Sequence, residues 1–147
     1  MMNWPIVCAA ALMPVLLAAC SGKPPRLGVA DGRLAPCPSS PNCVSTQATD
    51  PGHQIAPIPF TGEPKQAMAR LRAIIAQRGG KIAKETDDYV HAEFTSRIFR
   101  FVDDVEFYVD AKSHTIQFRS ASRVGHSDLG VNRRRMEAIR RAFLAPS

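Results

Sequence analysis

Four runs of strand-like residues follow one another over 81–86, 89–96, 101–110 and 115–123, separated only by "DD", "RIFR" and "AKSH". Connections this short cannot carry a crossover, so consecutive strands must lie antiparallel beside one another. That constraint makes the centre of the chain a meander. Residues 64–78 read as a helix: Pro64 suits a first turn, and Met68, Leu71, Ile74 and Ile75 recur at spacings of three and four. Gly79 and Gly80 end it by allowing a left-handed cap. A second helix is expected over 127–144, with Ser127 as N-cap and Asp128 facing the helix dipole. "HQIAPIPF" supplies a short extended piece before the first helix, confined by its prolines to an edge or a strand end. The order β-α-β-β-β-β-α is that of an α+β domain, with a four- to five-stranded antiparallel sheet and both helices on one face.

Alternation along the strands assigns side chains to faces. Phe101, Val105, Phe107 and Val109 share one face with Asp103; Ile116 and Phe118 share it with Ser120 and Ser122. If these two strands pair with apolar faces matched, Asp103 lies opposite Ser120 or Ser122, depending on register. At 100° per residue, Leu129, Met136, Ile139 and Phe143 form a stripe on the last helix that includes Asn132. Arg133 and Arg135 flank that stripe, while Arg134 and Arg141 face solvent. Because "VGHS" turns the chain back, Asp103, Ser120, Ser122 and Asn132 are expected to converge near the helix N-terminus, with Arg123 and His126 close by. Such a cluster is read first as a hydrogen-bond network that docks the helix on the sheet. The functional alternative makes it a pocket floor, with Asp103 or His126 as an acid–base group. Neither "GxSxG" nor "SxxK" occurs, so hydrolase chemistry is weakly signalled.

The opposite sheet face carries Tyr89, His91, Glu93, Thr95, Asp104, Glu106, Tyr108, Gln117, Arg119 and Arg123. It is read as a solvated face with cross-strand ion pairs worth little each, the alternative being a platform for a partner or ligand. The net charge of +6 is concentrated near the C-terminus, where seven arginines and two acids fall between Arg119 and Arg141. An anionic ligand, an envelope partner or lipid headgroups suit that balance; nucleic acid does not, because acids share the sheet face.

The start of the chain sets the compartment. Residues 6–19 are apolar but too few for an ordinary membrane-spanning helix. They fit a signal-peptide core over 1–19, and "LAAC" resembles a bacterial lipobox that would place diacylglycerol on Cys20. By the same resemblance, Ser21 after the Cys points to lipid anchoring at the periplasmic face of the outer membrane. Residues 20–36, rich in Pro and Gly, read as the lipidated Cys and a flexible tether, and 37–147 as one domain. In an oxidising compartment Cys37 and Cys43 read as a disulfide. A metal site with His53 as third ligand competes, but the spacing is not C-x-x-C and no fourth ligand is evident. Neither a metal nor a cofactor is expected.

The overall order resembles TATA-binding-protein-like and helix-grip architectures, a likeness that says little about function. The pieces "CPSSPNCVS", "HAEFTSRIFRFVDDVEFYV" and "QFRSASRVGHSDLGVNRRRMEAI" resemble the domain of unknown function family 1499, over roughly residues 34–143. The resemblance implies a mostly bacterial family, often lipoproteins or membrane-associated proteins, with no established activity and no catalytic residues to carry over. The leading expectation is a non-enzymatic envelope lipoprotein that binds a small ligand or a partner. A small periplasmic hydrolase using Asp103, Ser122, His126 and Asn132 is the alternative.

Overall fold

The structure, a computed structural model, describes residues 27–146, so Cys20 and the signal-like segment lie outside it. Eight elements follow in order: β1 Cys43–Ser45, β2 Ile58–Pro59, α1 Pro64–Gln77, β3 Lys81–Glu85, β4 Tyr89–Thr95, β5 Val102–Asp110, β6 Thr115–Ser122 and α2 Val131–Leu144. They build one antiparallel sheet of order β1-β6-β5-β4-β3, with β2 also pairing β6. The expected meander and the two helices are both present. The sheet gains strands beyond the expected count because β1, read as the end of a stapled loop, pairs Cys43–Ser45 against Arg119–Ala121.

The core lies between the helices and one sheet face. Val90, Ala92, Phe94, Val105, Phe107, Val109, Ile116 and Phe118 project from the strands. Ala67, Met68, Leu71, Ile74 and Ile75 meet them from α1, and Met136, Ile139 and Phe143 from α2. α1 ends where Gly79 takes φ 81°. At Gly80 the requirement is closeness: a Cβ there would stand 2.5 Å from the Phe94 ring and 2.7 Å from Ile75.

α2 starts later than expected, at Val131, and Ser127 is not its N-cap. Leu129 and Gly130 take φ 53° and 78°, which no right-handed helix can include. Asp128 caps from outside, accepting from the Gly130 N–H at 2.9 Å and the Asn132 N–H at 2.7 Å. Leu129, expected on the buried stripe, is 85% exposed.

Cys37 and Cys43 form the expected disulfide. His53 braces the stapled loop, with Nδ1 2.7 Å from Asp50 Oδ1 and Nε2 3.0 Å from the Ser40 carbonyl. The Ser40 carbonyl, assisted by Asp50, raises the His53 pKa. Residues 27–36, read as tether, include a segment laid on the sheet: the Gly28 N–H donates to Glu106 Oε1 at 2.8 Å, and Leu34 is buried.

Overpacking at a tight contact costs about 1–3 kcal/mol. Gly80→Ala is therefore expected to lower unfolding free energy by that amount in urea denaturation, and an unchanged midpoint would refute the close packing of Phe94 on the helix terminus.

Candidate functional site

The β5–β6 register sets Asp103 opposite Ser122. On the core side, the Ser122 hydroxyl donates to Asp103 Oδ1 at 2.7 Å, and Asn132 Nδ2 donates to Ser122 Oγ at 3.0 Å. The Ser120 hydroxyl donates to Asn132 Oδ1. Asp103, Ser120, Ser122 and Asn132 thus meet at one end of the core, with Ser120 and Asn132 fully buried. Arg123 does not join them, because its side chain leaves from the opposite sheet face. His126 stays exposed in the β6–α2 connection.

Two further members carried a weak signal in the sequence. Arg135 lies three residues after Asn132, hence one turn along α2, and its guanidinium donates to Asp103 Oδ2 at 2.6 Å and Asn132 Oδ1 at 2.9 Å. It also stacks over the Phe94 ring, 4.8 Å from its centroid. Asn42 comes from the stapled loop, where no periodicity reveals direction. Its carbonyl accepts from the Ser122 N–H at 3.1 Å and from Asn132 Nδ2 at 3.2 Å. Each hydroxyl, amide and carboxylate of this cluster is engaged within the protein. Ser122 Oγ touches a carboxylate and an amide, without an imidazole to take its proton. The arrangement fixes α2 on β6.

The opposite face is not solvated. Asp104 and Glu106 are 1% and 0% exposed, and His91, Arg119 and Tyr89 are buried. Residues 27–36 cross this face, and β1 extends it with Ser45 beside Arg119. Arg123 grips Asp104 with two N–H groups, Nε at 2.9 Å to Oδ2 and Nη2 at 2.6 Å to Oδ1, and reaches Glu93 at 2.7 Å. His91 Nε2 lies 2.8 Å from Asp104 Oδ1. The Tyr89 hydroxyl donates to Glu106 Oε1 at 2.8 Å. Beside this chain of pairs, Arg119 Nε and Nη1 and Glu106 Oε2 are buried without a hydrogen-bond partner among the described residues. The nearest approach, Arg119 Nη1 to Glu106 Oε2, is 3.6 Å, too long for a hydrogen bond.

Donor atoms of His91, Glu93 and Asp104 lie within 4.8 Å of one another, a spacing a cation could bridge. Arg123 already occupies that position with a two-pronged contact, so a metal would have to displace it. The electrostatics follow from burial and pairing. Burial pushes the Asp104 carboxyl up, but hydrogen bonds from Arg123 and His91 outweigh it and hold the group below its ordinary 3.8. Asp128 is held low in the same way, by the backbone N–H groups of Asn132 and Gly130 acting against burial. Burial, then the Glu106 carboxylate, drives the Tyr89 phenol far up, so it remains a donor. Burial lowers the Arg119 pKa against the pull of Glu106 and Asp104.

Two outcomes follow. Removing one partner of a buried ion pair costs about 3–5 kcal/mol, so Asp103→Ala should lose stability on that scale; wild-type stability would show that the cluster does not dock α2. A carboxyl depressed in the folded state contributes stability above its unfolded pKa and loses it as pH falls through the lower folded value. With Asp104 and Asp128 both depressed, unfolding free energy should fall as pH drops below about 4, and Asp104→Asn should flatten that decline. A urea midpoint that stays constant through that acid range would contradict the pairing.

A family model described as "Protein of unknown function (DUF1499)" matches residues 33–143. No match is found among curated proteins or among solved structures.

Proposed function

The chain belongs to the DUF1499 family of proteins of unknown function, and from that premise we propose a lipid-anchored, non-enzymatic binding module of the bacterial envelope. Its ligand is a small molecule with an anionic acceptor, held on the polar face of the sheet. The observation that carries this reading is Arg119, a buried guanidinium whose Nε and Nη1 have no hydrogen-bond partner among the described residues, its ion pair with Glu106 being held at 3.6 Å. An unmet buried donor costs about 1–3 kcal/mol, more when charged. A ligand oxyanion facing Arg119 would remove that cost, and a donor on the same ligand would meet Glu106 Oε2.

A cavity of about 1080 Å³ lies between the segment at residues 31–33, the start of α1 at Pro64 and Met68, and Tyr108 and Asp110 of β5; Arg119 and Glu106 do not line it, so a ligand there would have to extend past Tyr108 to reach them. Tyr108 lies two residues from Glu106 on the same face of β5. The size is that of a small-molecule site. The hydrolase alternative finds less support, since Ser122 is engaged by Asp103 and Asn132 while His126 stands apart. The outer-membrane periplasmic location rests on "LAAC" and Ser21 alone.

The test is native mass spectrometry of protein extracted from membranes, with Arg119→Leu as comparison. Wild type should carry a small bound mass that the folded variant lacks; two bare proteins would overturn the binding reading. In parallel, Cys20→Ser should move the protein out of the membrane fraction, and unchanged fractionation would remove the lipid anchor.

A further inference from the structure

Seven large hydrophobic side chains are exposed among the described residues, and five of them sit at one end of the sheet. Ile98, Phe99 and Phe101, exposed by 83%, 71% and 45%, occupy the β4–β5 turn; Leu129 and Val131, by 85% and 39%, occupy the approach to α2 and its first residue. The two segments leave the same sheet end. Thr95 pairs with Val102, the Arg123 N–H donates to the Val102 carbonyl at 2.9 Å, and Arg135 of α2 reaches both Phe94 and Asp103. Phe99 and Phe101 stack on each other, centroids 5.6 Å apart, instead of folding back on the core. Leu129 is held at φ 53°, a conformation disfavoured for a Leu, and its side chain gains no packing there.

The charge around these tips is predominantly positive. Arg97, Arg100 and Arg134 are exposed between and beside them. The single acid in residues 95–101 and 123–131 is Asp128, which is engaged by Gly130 and Asn132. We infer that this end of the domain docks on an anionic bilayer surface. The apolar tips enter the interfacial layer and the arginines meet lipid phosphates. Two separate protrusions would need two matched pockets on a protein partner, whereas a fluid interface accommodates both. Aromatic rings and arginines with long apolar stems are suited to that boundary. This contact does not depend on lipid at Cys20 or on a ligand at Arg119.

The test places a fluorescent reporter at the tip in the full chain, Phe99→Trp with Trp4→Phe to remove the native indole. It is run with and without Cys20→Ser, so that loss of the anchor and loss of docking are read separately. Phosphatidylglycerol-rich vesicles should blue-shift the emission and make it quenchable by brominated acyl chains. Arg97→Gln with Arg100→Gln should weaken that partitioning about 25-fold, each arginine near an anionic surface contributing roughly a factor of five. A reporter at Leu144, at the far end of α2, should stay in water. Unshifted emission at position 99, an equal shift at position 144, or indifference to the arginine changes would each overturn the proposal. A shift that grows with protein concentration without vesicles would overturn it in favour of a second copy of the chain.

Discussion

The pairing of β5 with β6 is the contact on which the rest of the molecule depends. Asp103 opposite Ser122, Val105 opposite Ser120 and Phe107 opposite Phe118 put the core on one face. The same pairing puts Asp104, Glu106 and Arg119 on the other. β6 also carries β1 and β2 on its far edge, so its register is transmitted to both flanks of the sheet. A slip of β6 by one residue would turn Arg119 into the apolar core and expose Phe118. The hydrophobic pattern therefore enforces the register, and the register assembles both polar clusters.

Those clusters differ in kind. On the core side, polar groups meet at the helix–sheet junction and each finds a partner, a network that positions α2 without requiring anything from outside. On the other side, the ion pairs are gathered under a short segment of chain and the accounting does not close, because Arg119 and Glu106 retain unmet atoms. Buried groups of this type are normally satisfied. The difference decides which cluster is the better candidate for recognition, and it lies in hydrogen-bond geometry, not in composition.

Much of the architecture was legible beforehand. Short connections dictated the meander, and helical spacing located α1 and the buried stripe of Met136, Ile139 and Phe143. Parity brought Asp103, Ser120, Ser122 and Asn132 together. Other features were not legible. Leu129 satisfies the helical spacing, yet the left-handed turn at Leu129 and Gly130 excludes it from α2. Asn42 and β1 were hidden because a stapled loop has no period to read. Residues 27–36 carry Pro and Gly like any linker, and no pattern announces that they will be laid over Glu106.

Local rules in the chain itself therefore determined the element order, the antiparallel sense, the two faces of each strand and the disulfide. Each of these depends on neighbours a few residues apart, through loop length, alternation and cysteine spacing. Only the tertiary structure decided which polar face is closed to water, and which of its buried atoms lack a hydrogen bond. Burial and hydrogen-bond completion depend on segments distant in the chain arriving at one place, as Gly28 does at Glu106, and no local pattern encodes that meeting.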